Sequence, residues 1–179
     1  MSEAASKPTI SEDYRRQQQE LHRNPHYGVA SIGLAPTVAE VIDKFKVKSL
    51  SDYGAGKQNL RKALGEKAEQ LDYRPYDPAF PEYGPARSAD LVCCIDVLEH
   101  IEPEFLDNVL DELAGLTVRL GIFSIHTGPA MKVLSDGRNA HLIQQPSSWW
   151  LPRLCERFEV DGLRKTTGGF VVLVSPRQS

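Results

Sequence analysis

The spacing of apolar residues changes along the chain, and each change predicts a new element. Residues 11–22 are mostly polar and predict a solvent-facing helix with Ser11 as its N-cap. A loop marked by proline and glycine follows over residues 24–36. Residues 36–45 carry apolar side chains at helical spacing, and Pro36 suits a first turn, so a second helix is predicted there.

Strands and helices alternate through the rest of the chain. Predicted strands cover residues 47–53, 68–77, 89–96, 117–127, 158–166 and 168–176, and predicted helices cover residues 57–67, 103–116 and 147–158. The third of these strands is almost entirely apolar, as expected when helices cover both faces of a sheet. The alternation predicts an α/β three-layer domain with a mostly parallel sheet, closed by two antiparallel C-terminal strands.

Composition and charge narrow the class of protein. The 179 residues are 41% hydrophobic and 25% charged, which suits one globular domain, and we expect a flexible N-terminus over residues 1–10 and a single domain over residues 11–179. A net charge of −3 provides no basic field for a folded nucleic acid. No apolar run has the length of a membrane span, and the three cysteines are expected to be reduced, so we predict a cytoplasmic protein without a membrane partner.

The segment SDYGAGKQ, residues 51–58, follows the first strand of the alternating region and is close to two phosphate-binding loops. The P-loop pattern G-x-x-x-x-G-K-[ST] would need a glycine at Ser51 and a magnesium-binding hydroxyl at Gln58. The dinucleotide pattern G-x-G-x-x-G would need its third glycine at Asn59. A P-loop-like nucleotide-binding protein is therefore kept only as an alternative.

A loop that holds a methyl donor accounts for more of these letters. Asp52, at the end of the strand, can accept hydrogen bonds from the ammonium group of a bound amino-acid moiety. Gly54 and Gly56 let the backbone pass close to a ligand, where a side chain would clash. A second acid, Asp77, ends the next predicted strand, where nucleotide-binding α/β folds place a carboxylate on the ribose.

Three stretches in this order, SLSDYGAGKQNL, YDPAF and ADLVCCIDVLEHIEPE, resemble a class I S-adenosylmethionine-dependent methyltransferase of the small stand-alone type found in bacteria and phages. The resemblance runs from about residue 21 to the C-terminus, and its motifs are specific as a set. It implies a Rossmann-like fold and S-adenosylmethionine as the cofactor. The residues implied to line the donor pocket are Asp52, Gly54, Ala55, Gly56, Asp77, Pro78, Asp96, Val97 and Leu98.

Two details of the donor pocket depart from the family. The chain has Gln58 where the family often has a third glycine, so we expect a slightly tighter loop or a shifted helix. The strand that usually carries an adenine-contacting acid is missing from the pattern. Tyr76, Phe80 or Tyr83 is a candidate to stack on the adenine instead.

The N-terminal helices are expected to form a lid over the donor. Tyr14, His22, Tyr27 and Gly28 would then close the pocket and exclude water, since methyl transfer depends on close alignment. A solvated helix is the alternative, because the arginines and glutamines of residues 15–19 fit that role equally well.

The motif D-V-L-E-H, residues 96–100, leaves two interpretations open. In one, Glu99 and His100 shape the turn through hydrogen bonds, without a metal. In the other, Glu99, His100 and the later His141 bind a divalent metal, which carboxylate and imidazole ligands suit. This second arrangement resembles the metal-dependent small-RNA 2′-O-methyltransferases, and the ubiquinone-pathway O-methyltransferases show similar letters. A cation there would lower the pKa of a substrate hydroxyl.

His126, directly after the fourth of these strands, and His141 are the candidate catalytic residues, because either could take a proton from the acceptor. His126 could instead only satisfy the backbone of its loop. We expect methylation of an oxygen, with nitrogen as the alternative, on a small molecule, a sugar or a nucleotide. A module that binds S-adenosylmethionine or S-adenosylhomocysteine without transferring methyl is the remaining alternative, and the sequence predicts no oligomeric state.

Overall fold

A computed structural model describes residues 7–177, so residues 1–6 of the expected flexible N-terminus lie outside the described residues. Its helices are α1 (Glu12–Leu21), α2 (Ala30–Phe45), α3 (Asn59–Leu64), α4 (Glu66–Glu69), α5 (Leu106–Leu116) and α6 (Ser147–Cys155). Its strands are β1 (Ser49–Tyr53), β2 (Asp72–Tyr76), β3 (Ala89–Ile95), β4 (Thr117–His126), β5 (Phe158–Thr166) and β6 (Gly169–Pro176).

One six-stranded sheet with the order β2-β1-β3-β4-β6-β5 forms the middle layer. The first four strands in this order are parallel, whereas β6 runs antiparallel to both β4 and β5. The prediction of a mostly parallel sheet with antiparallel C-terminal strands is therefore confirmed. None of the helices in residues 7–177 combines the length and the apolar character needed to cross a bilayer.

The strand β3 separates two hydrophobic cores. Its residues Val92 and Cys94 pack with α5 and α6, and Leu91 and Cys93 pack with α2 and α3. Alternate residues of a strand point to opposite faces of the sheet, so an apolar strand is needed where both faces are covered. The predicted three-layer arrangement follows from this division.

Helix α1 begins at the predicted cap, and α2 begins earlier than predicted. The Ser11 hydroxyl accepts a hydrogen bond from the backbone of Tyr14, which confirms the N-cap. Helix α2 starts at Ala30, so Pro36 lies inside it, and its missing N–H leaves the carbonyl of Ile32 without a helical donor. Ile32 is 50% exposed, so water can replace that donor.

The predicted helix over residues 57–67 is two short helices. Gly65, with φ 57° and ψ −131°, separates α3 from α4. Such a backbone conformation is open to glycine and costly for other residues, so the helical hydrogen bonding stops there. Helix α3 is short, and it begins directly after the glycine loop that follows β1.

Candidate active site

A cavity of about 460 Å³ opens at the carboxyl ends of β1, β2 and β3. Ligands of open α/β sheets bind at this edge, and the volume suits a small-molecule site. The predicted site residues on its wall are Tyr14, His22, Tyr27, Asp52, Gly54, Ala55, Gly56, Asp77, Pro78, Asp96, Val97, His100, His126 and His141. The other two, Leu98 and Glu99, are fully buried and do not line the cavity.

The glycine loop is pressed between two other segments of the chain. A Cβ atom on Gly54 would collide with the side chain of Val97, and one on Gly56 would lie 2.9 Å from Cε1 of His22. Both glycines also have positive φ, at 81° and 49°. Glycine was expected here because a side chain would clash with a ligand. The structure adds that a side chain would also clash with Val97 at Gly54 and with His22 at Gly56.

Asp77 is fixed by backbone donors on both of its carboxylate oxygens. Oδ2 accepts from the N–H of Gly56 at 2.9 Å, and Oδ1 accepts from the N–H of Ala79 at 2.8 Å. Burial raises the pKa of Asp77, and these two hydrogen bonds oppose the rise. The carboxylate thus ties the turn after β2 to the glycine loop.

Asp52 is held by a side chain that the sequence does not single out. The hydroxyl of Tyr73 donates to Oδ2 of Asp52 at 2.5 Å. Burial raises the pKa of Asp52 to about 7, the hydrogen bond from Tyr73 lowers it, and the nearby charge of Asp77 raises it. Tyr73 reaches Asp52 only because β1 and β2 are neighbours in a particular register, which no local motif encodes.

Lys57 faces the N-terminal segment. Its ammonium group donates to the carbonyl of Asn24 at 2.6 Å and to the carbonyl of His22 at 3.4 Å. The lysine of a P-loop reaches the phosphates of a nucleotide. The geometry therefore favours a methyl-donor loop over a P-loop.

A chain of hydrogen bonds joins α1 to the turn after β3. The hydroxyl of Tyr14 donates to the carbonyl of His100 at 2.6 Å, Gln18 donates to the Tyr14 hydroxyl at 2.7 Å, and Tyr27 donates to Gln18 at 3.1 Å. Burial raises the pKa of both tyrosines. Helix α1 and the following loop thus form one side of the cavity wall, and Gln18 is a wall residue that the sequence pattern did not single out.

Asp96 turns the chain from β3 into the cavity. It is a non-glycine residue with φ 51°, a strained conformation that aspartate tolerates better than most residues. Its backbone N–H donates to the hydroxyl of Ser124 at 2.9 Å, and that hydroxyl donates to Oδ1 of Asp96 at 2.6 Å. Such strain, held in place by β4, is common at functional sites.

Three histidines meet on one side of the cavity. The ring centroid of His141 lies 4.7 Å from that of His100 and 4.9 Å from that of His126. Nδ1 of His100 lies 2.8 Å from the carbonyl of Ala140, and Nδ1 of His141 lies 2.7 Å from the carbonyl of Gly128.

Because carbonyls only accept, Nδ1 donates in both His100 and His141, and each Nε2 is left able to accept a proton. Burial lowers the pKa of His100 to about 3 and also lowers the pKa of His141. Both rings are therefore neutral near pH 7, the state in which an imidazole can act as a base.

The surroundings of Glu99 bear on the candidate metal ligands. Glu99 is fully buried, Oε1 accepts from the N–H of His126 at 2.7 Å, and Oε2 has no hydrogen-bond partner. An orphaned carboxylate oxygen would suit a cation. Within residues 7–177, however, no group of three or more His, Cys, Asp or Glu side chains is placed to hold a metal. As they are arranged, Glu99, His100 and His141 do not form a metal site, and metal binding by these three residues stays a prediction.

Comparisons with known proteins identify the fold of this chain. No family model matches the sequence, and no curated protein matches it. An O-methyltransferase family protein from Burkholderia thailandensis is similar in structure, with a TM-score of 0.60 and 14% identity, over 91% of this chain and 63% of that one. The mitomycin 7-O-methyltransferase MmcR gives a TM-score of 0.65 at 13% identity, over 93% of this chain and 59% of that one.

A third structure is covered almost completely. It is the 1,6-didemethyltoxoflavin-N1-methyltransferase of Burkholderia thailandensis with bound 1,6-didemethyltoxoflavin and S-adenosylhomocysteine, with a TM-score of 0.60 and 13% identity, over 96% of this chain and 93% of that one. The chain has the class I methyltransferase fold. It spans only about three fifths of the length of the first two proteins, 63% and 59%.

Within the class I methyltransferase fold, Gln58 marks the departure in the glycine loop. It has φ 56° and ψ 40°, the left-handed conformation that glycine adopts most easily. Helix α3 begins at the next residue, Asn59. The chain thus keeps a left-handed residue at the position where the family often has its third glycine, and accepts strain there.

The aromatic residues proposed to stack on adenine lie elsewhere. Phe80 and Tyr83 stack on each other, with ring centroids 5.3 Å apart, and the Tyr83 hydroxyl donates to the carbonyl of Gly56 at 2.8 Å. Tyr76 packs against Tyr53 at 4.9 Å. The wall of this methyltransferase-fold cavity includes Tyr53 and none of the three candidates, so its geometry gives no support to adenine stacking by them.

Proposed function

We propose that this protein binds S-adenosylmethionine and transfers its methyl group to an oxygen of a small molecule, a sugar or a nucleotide, with nitrogen as the alternative acceptor atom. One observation carries the proposal. The acids Asp52, Asp77 and Asp96 and the glycine loop converge on one cavity at the carboxyl edge of a class I methyltransferase fold. The didemethyltoxoflavin enzyme of the same fold contains S-adenosylhomocysteine.

Two carboxylates would hold the two polar ends of the donor. We assign the donor's ammonium group to Asp52 and its ribose hydroxyls to Asp77. Asp77 keeps its carboxylate ready for this, because two backbone N–H groups fix its orientation. Tyr14, His22 and Tyr27 would cover the donor as a lid, since all three side chains lie on the cavity wall.

Catalysis would rest on alignment and on one proton acceptor. When bound, S-adenosylmethionine supplies a methyl group on a positively charged sulfur, so attack by an acceptor oxygen breaks only the bond between sulfur and methyl. The residues of the chain hold the acceptor in line and exclude water. Neutral His141, or His126 beside it, takes the proton that the acceptor hydroxyl releases.

Transfer of a labelled methyl group is the experiment that tests this function. The protein is incubated with S-adenosylmethionine labelled in the methyl group and an extract depleted of macromolecules, in which we expect a labelled small product. An Asp52→Ala variant should give none. If the wild-type protein binds S-adenosylhomocysteine but labels no acceptor in any extract, it is a binding module without transferase activity. We place the reaction in the cytoplasm, in line with the sequence prediction.

A further inference from the structure

We infer that Tyr73 is a positioning residue for the methyl donor: its hydroxyl holds the Asp52 carboxylate in the orientation in which it receives the donor's ammonium group. The inference rests on the proposed function and deepens its donor site. Tyr73 does not line the cavity, so it would act only through Asp52.

The contact is built into the parallel pairing of β1 and β2. In that pairing Leu50 lies beside Tyr73, and Asp52 lies beside Pro75. Residues two apart on a strand share a face of the sheet, so the phenol ring of Tyr73 reaches along the strands toward Asp52. The Arg61 guanidinium of α3 lies 5.7 Å from the ring centroid. Asp52 is 4% exposed and Tyr73 is 9% exposed, so water cannot readily replace the hydroxyl.

Asp52 depends on this one donor, unlike the neighbouring acid. Both oxygens of Asp77 accept from backbone N–H groups. Among the described residues 7–177, the hydrogen bond from Tyr73 is the only one that the Asp52 carboxylate receives. Loss of the phenol hydroxyl would therefore leave the carboxylate of Asp52 without a partner.

The charges around Asp52 make this hydrogen bond matter near neutral pH. Asp77 follows β2, Cys93 and Cys94 lie on β3, and Tyr83 lies in the loop between these strands; none of the four is a cation. Burial raises the pKa of Asp52 to about 7, while the Tyr73 hydroxyl stabilises the ionised form. Only the ionised carboxylate attracts an ammonium group, so donor affinity should depend on Tyr73.

Calorimetric titration with S-adenosylhomocysteine, from about pH 6 to about pH 9, tests the inference on the wild type and on Tyr73→Phe. For the wild type, affinity should fall as the pH falls through the pKa of Asp52, about 7. For Tyr73→Phe we expect the same curve displaced upward by about one pH unit, with binding about fivefold weaker at pH 7, approaching about tenfold weaker near pH 6, and recovery at the alkaline end. The amino group of the ligand titrates equally in both experiments, so the difference reports Asp52.

Two further variants complete the experiment. Tyr76→Phe removes a phenol hydroxyl from the same strand, away from the cavity wall, and should match the wild type. Asp52→Asn should remove the pH-dependent step that Tyr73→Phe displaces. If Tyr73→Phe binds like the wild type, or more weakly by the same factor at every pH, the inference is wrong and the proposed function stands. If the wild type binds no S-adenosylhomocysteine at any pH, the proposed function itself fails.

Discussion

The glycine loop contains one residue in a strained conformation. Gln58 holds φ 56° and ψ 40° directly before α3. For a residue with a Cβ atom, this left-handed conformation costs about 1–2 kcal/mol. The strain lies beside the proposed donor site, where the fold can hold it in place.

Replacing Gln58 by glycine should therefore stabilise the protein. The gain in the free energy of unfolding should be about 0.5–1 kcal/mol, because relief of the strain exceeds the extra chain entropy that glycine has when unfolded. Urea denaturation measures it. Gln58→Ala keeps the strained φ and should give no gain, and a glycine variant less stable than the alanine variant would contradict the account.

His22 gives a prediction about pH. Burial, and secondly the charge of Lys57, lower the pKa of His22 to about 4, whereas an unfolded histidine titrates near its ordinary value of 6.5. Between these values the unfolded chain binds more protons at this site, so the contribution of His22 to stability is lost as the pH falls from 6.5 to 4.

Thermal unfolding of the wild type and of His22→Gln at several pH values checks this. Between neutral pH and about pH 4, the variant should lose less free energy of unfolding than the wild type. The difference should be on the order of 1–2 kcal/mol, because solvent around the partly exposed ring weakens the effect. His100, whose pKa is also lowered by burial, is present in both proteins, so the difference isolates His22. Equal slopes in the two proteins would show that His22 is not desolvated as described.

At the scale of elements, the N-terminal segment is fastened to the loop after β1. Lys57 donates to the carbonyl of Asn24, and the Asn59 side chain donates to the carbonyl of Gly28 at 2.9 Å. These contacts hold the segment that carries His22 and Tyr27 at the cavity wall. Both hydrogen bonds are accepted by backbone carbonyls, so loss of either should loosen the whole segment.

Lys57→Met should loosen residues 22–28 and leave the sheet intact. We expect faster amide hydrogen exchange in that segment, no change in β3 or β4, and severalfold weaker binding of S-adenosylhomocysteine, because the proposed lid closes less often. Lys62→Met is the matched control, since Lys62 is exposed and lies in α3, after the glycine loop. If both variants exchange like the wild type, Lys57 does not fasten the lid.

The sequence predicted most of these elements because their patterns are local. The strand over residues 158–166 has the predicted bounds, and β3 was evident from its apolar run. The start of α2 was predicted wrongly, because Pro36 was placed in the first turn, whereas burial of Ala35 and Val38 against the sheet continues the helix through it. The contact of Tyr73 with Asp52 was missed because it depends on how two separate strands pair.

At the scale of the molecule, β2 forms one edge of the sheet, and its Pro75 disfavours pairing of this edge with another chain. The backbone N–H of Asp72 donates to the carbonyl of Lys48, and the carbonyl of Tyr76 accepts from the N–H of Gly54. The backbone polar groups of these two β2 residues therefore face β1. Pro75 alternates with them, and its missing N–H therefore faces outward. An edge strand that lacks a donor is a poor template for another chain.

Pro75→Thr should restore that donor and increase self-association. We expect a higher apparent mass in light scattering at high protein concentration, with an unchanged fold by circular dichroism. The same change at the exposed Pro81, in the loop after β2, serves as control and should have no such effect. An unchanged mass for Pro75→Thr would mean that the edge is already covered.

The site as a whole could be predicted only in part. Acids and glycines at strand ends placed Asp52, Asp77 and Asp96 at one edge, since parallel strands end together. Wall residues such as Thr9, Val109 and Met131 come from distant segments and carry no motif, so packing alone brings them to the cavity. The sequence therefore predicts the acids and glycines of the wall better than the rest of it.

Binding of S-adenosylhomocysteine, compared with ATP, tests the central claim most directly. Calorimetry on the wild type should show saturable binding of S-adenosylhomocysteine at one site, no comparable response to ATP, and loss of binding in a folded Asp52→Ala variant. Tight binding of ATP without any response to S-adenosylhomocysteine would contradict the account and return the glycine loop to the phosphate-binding alternative.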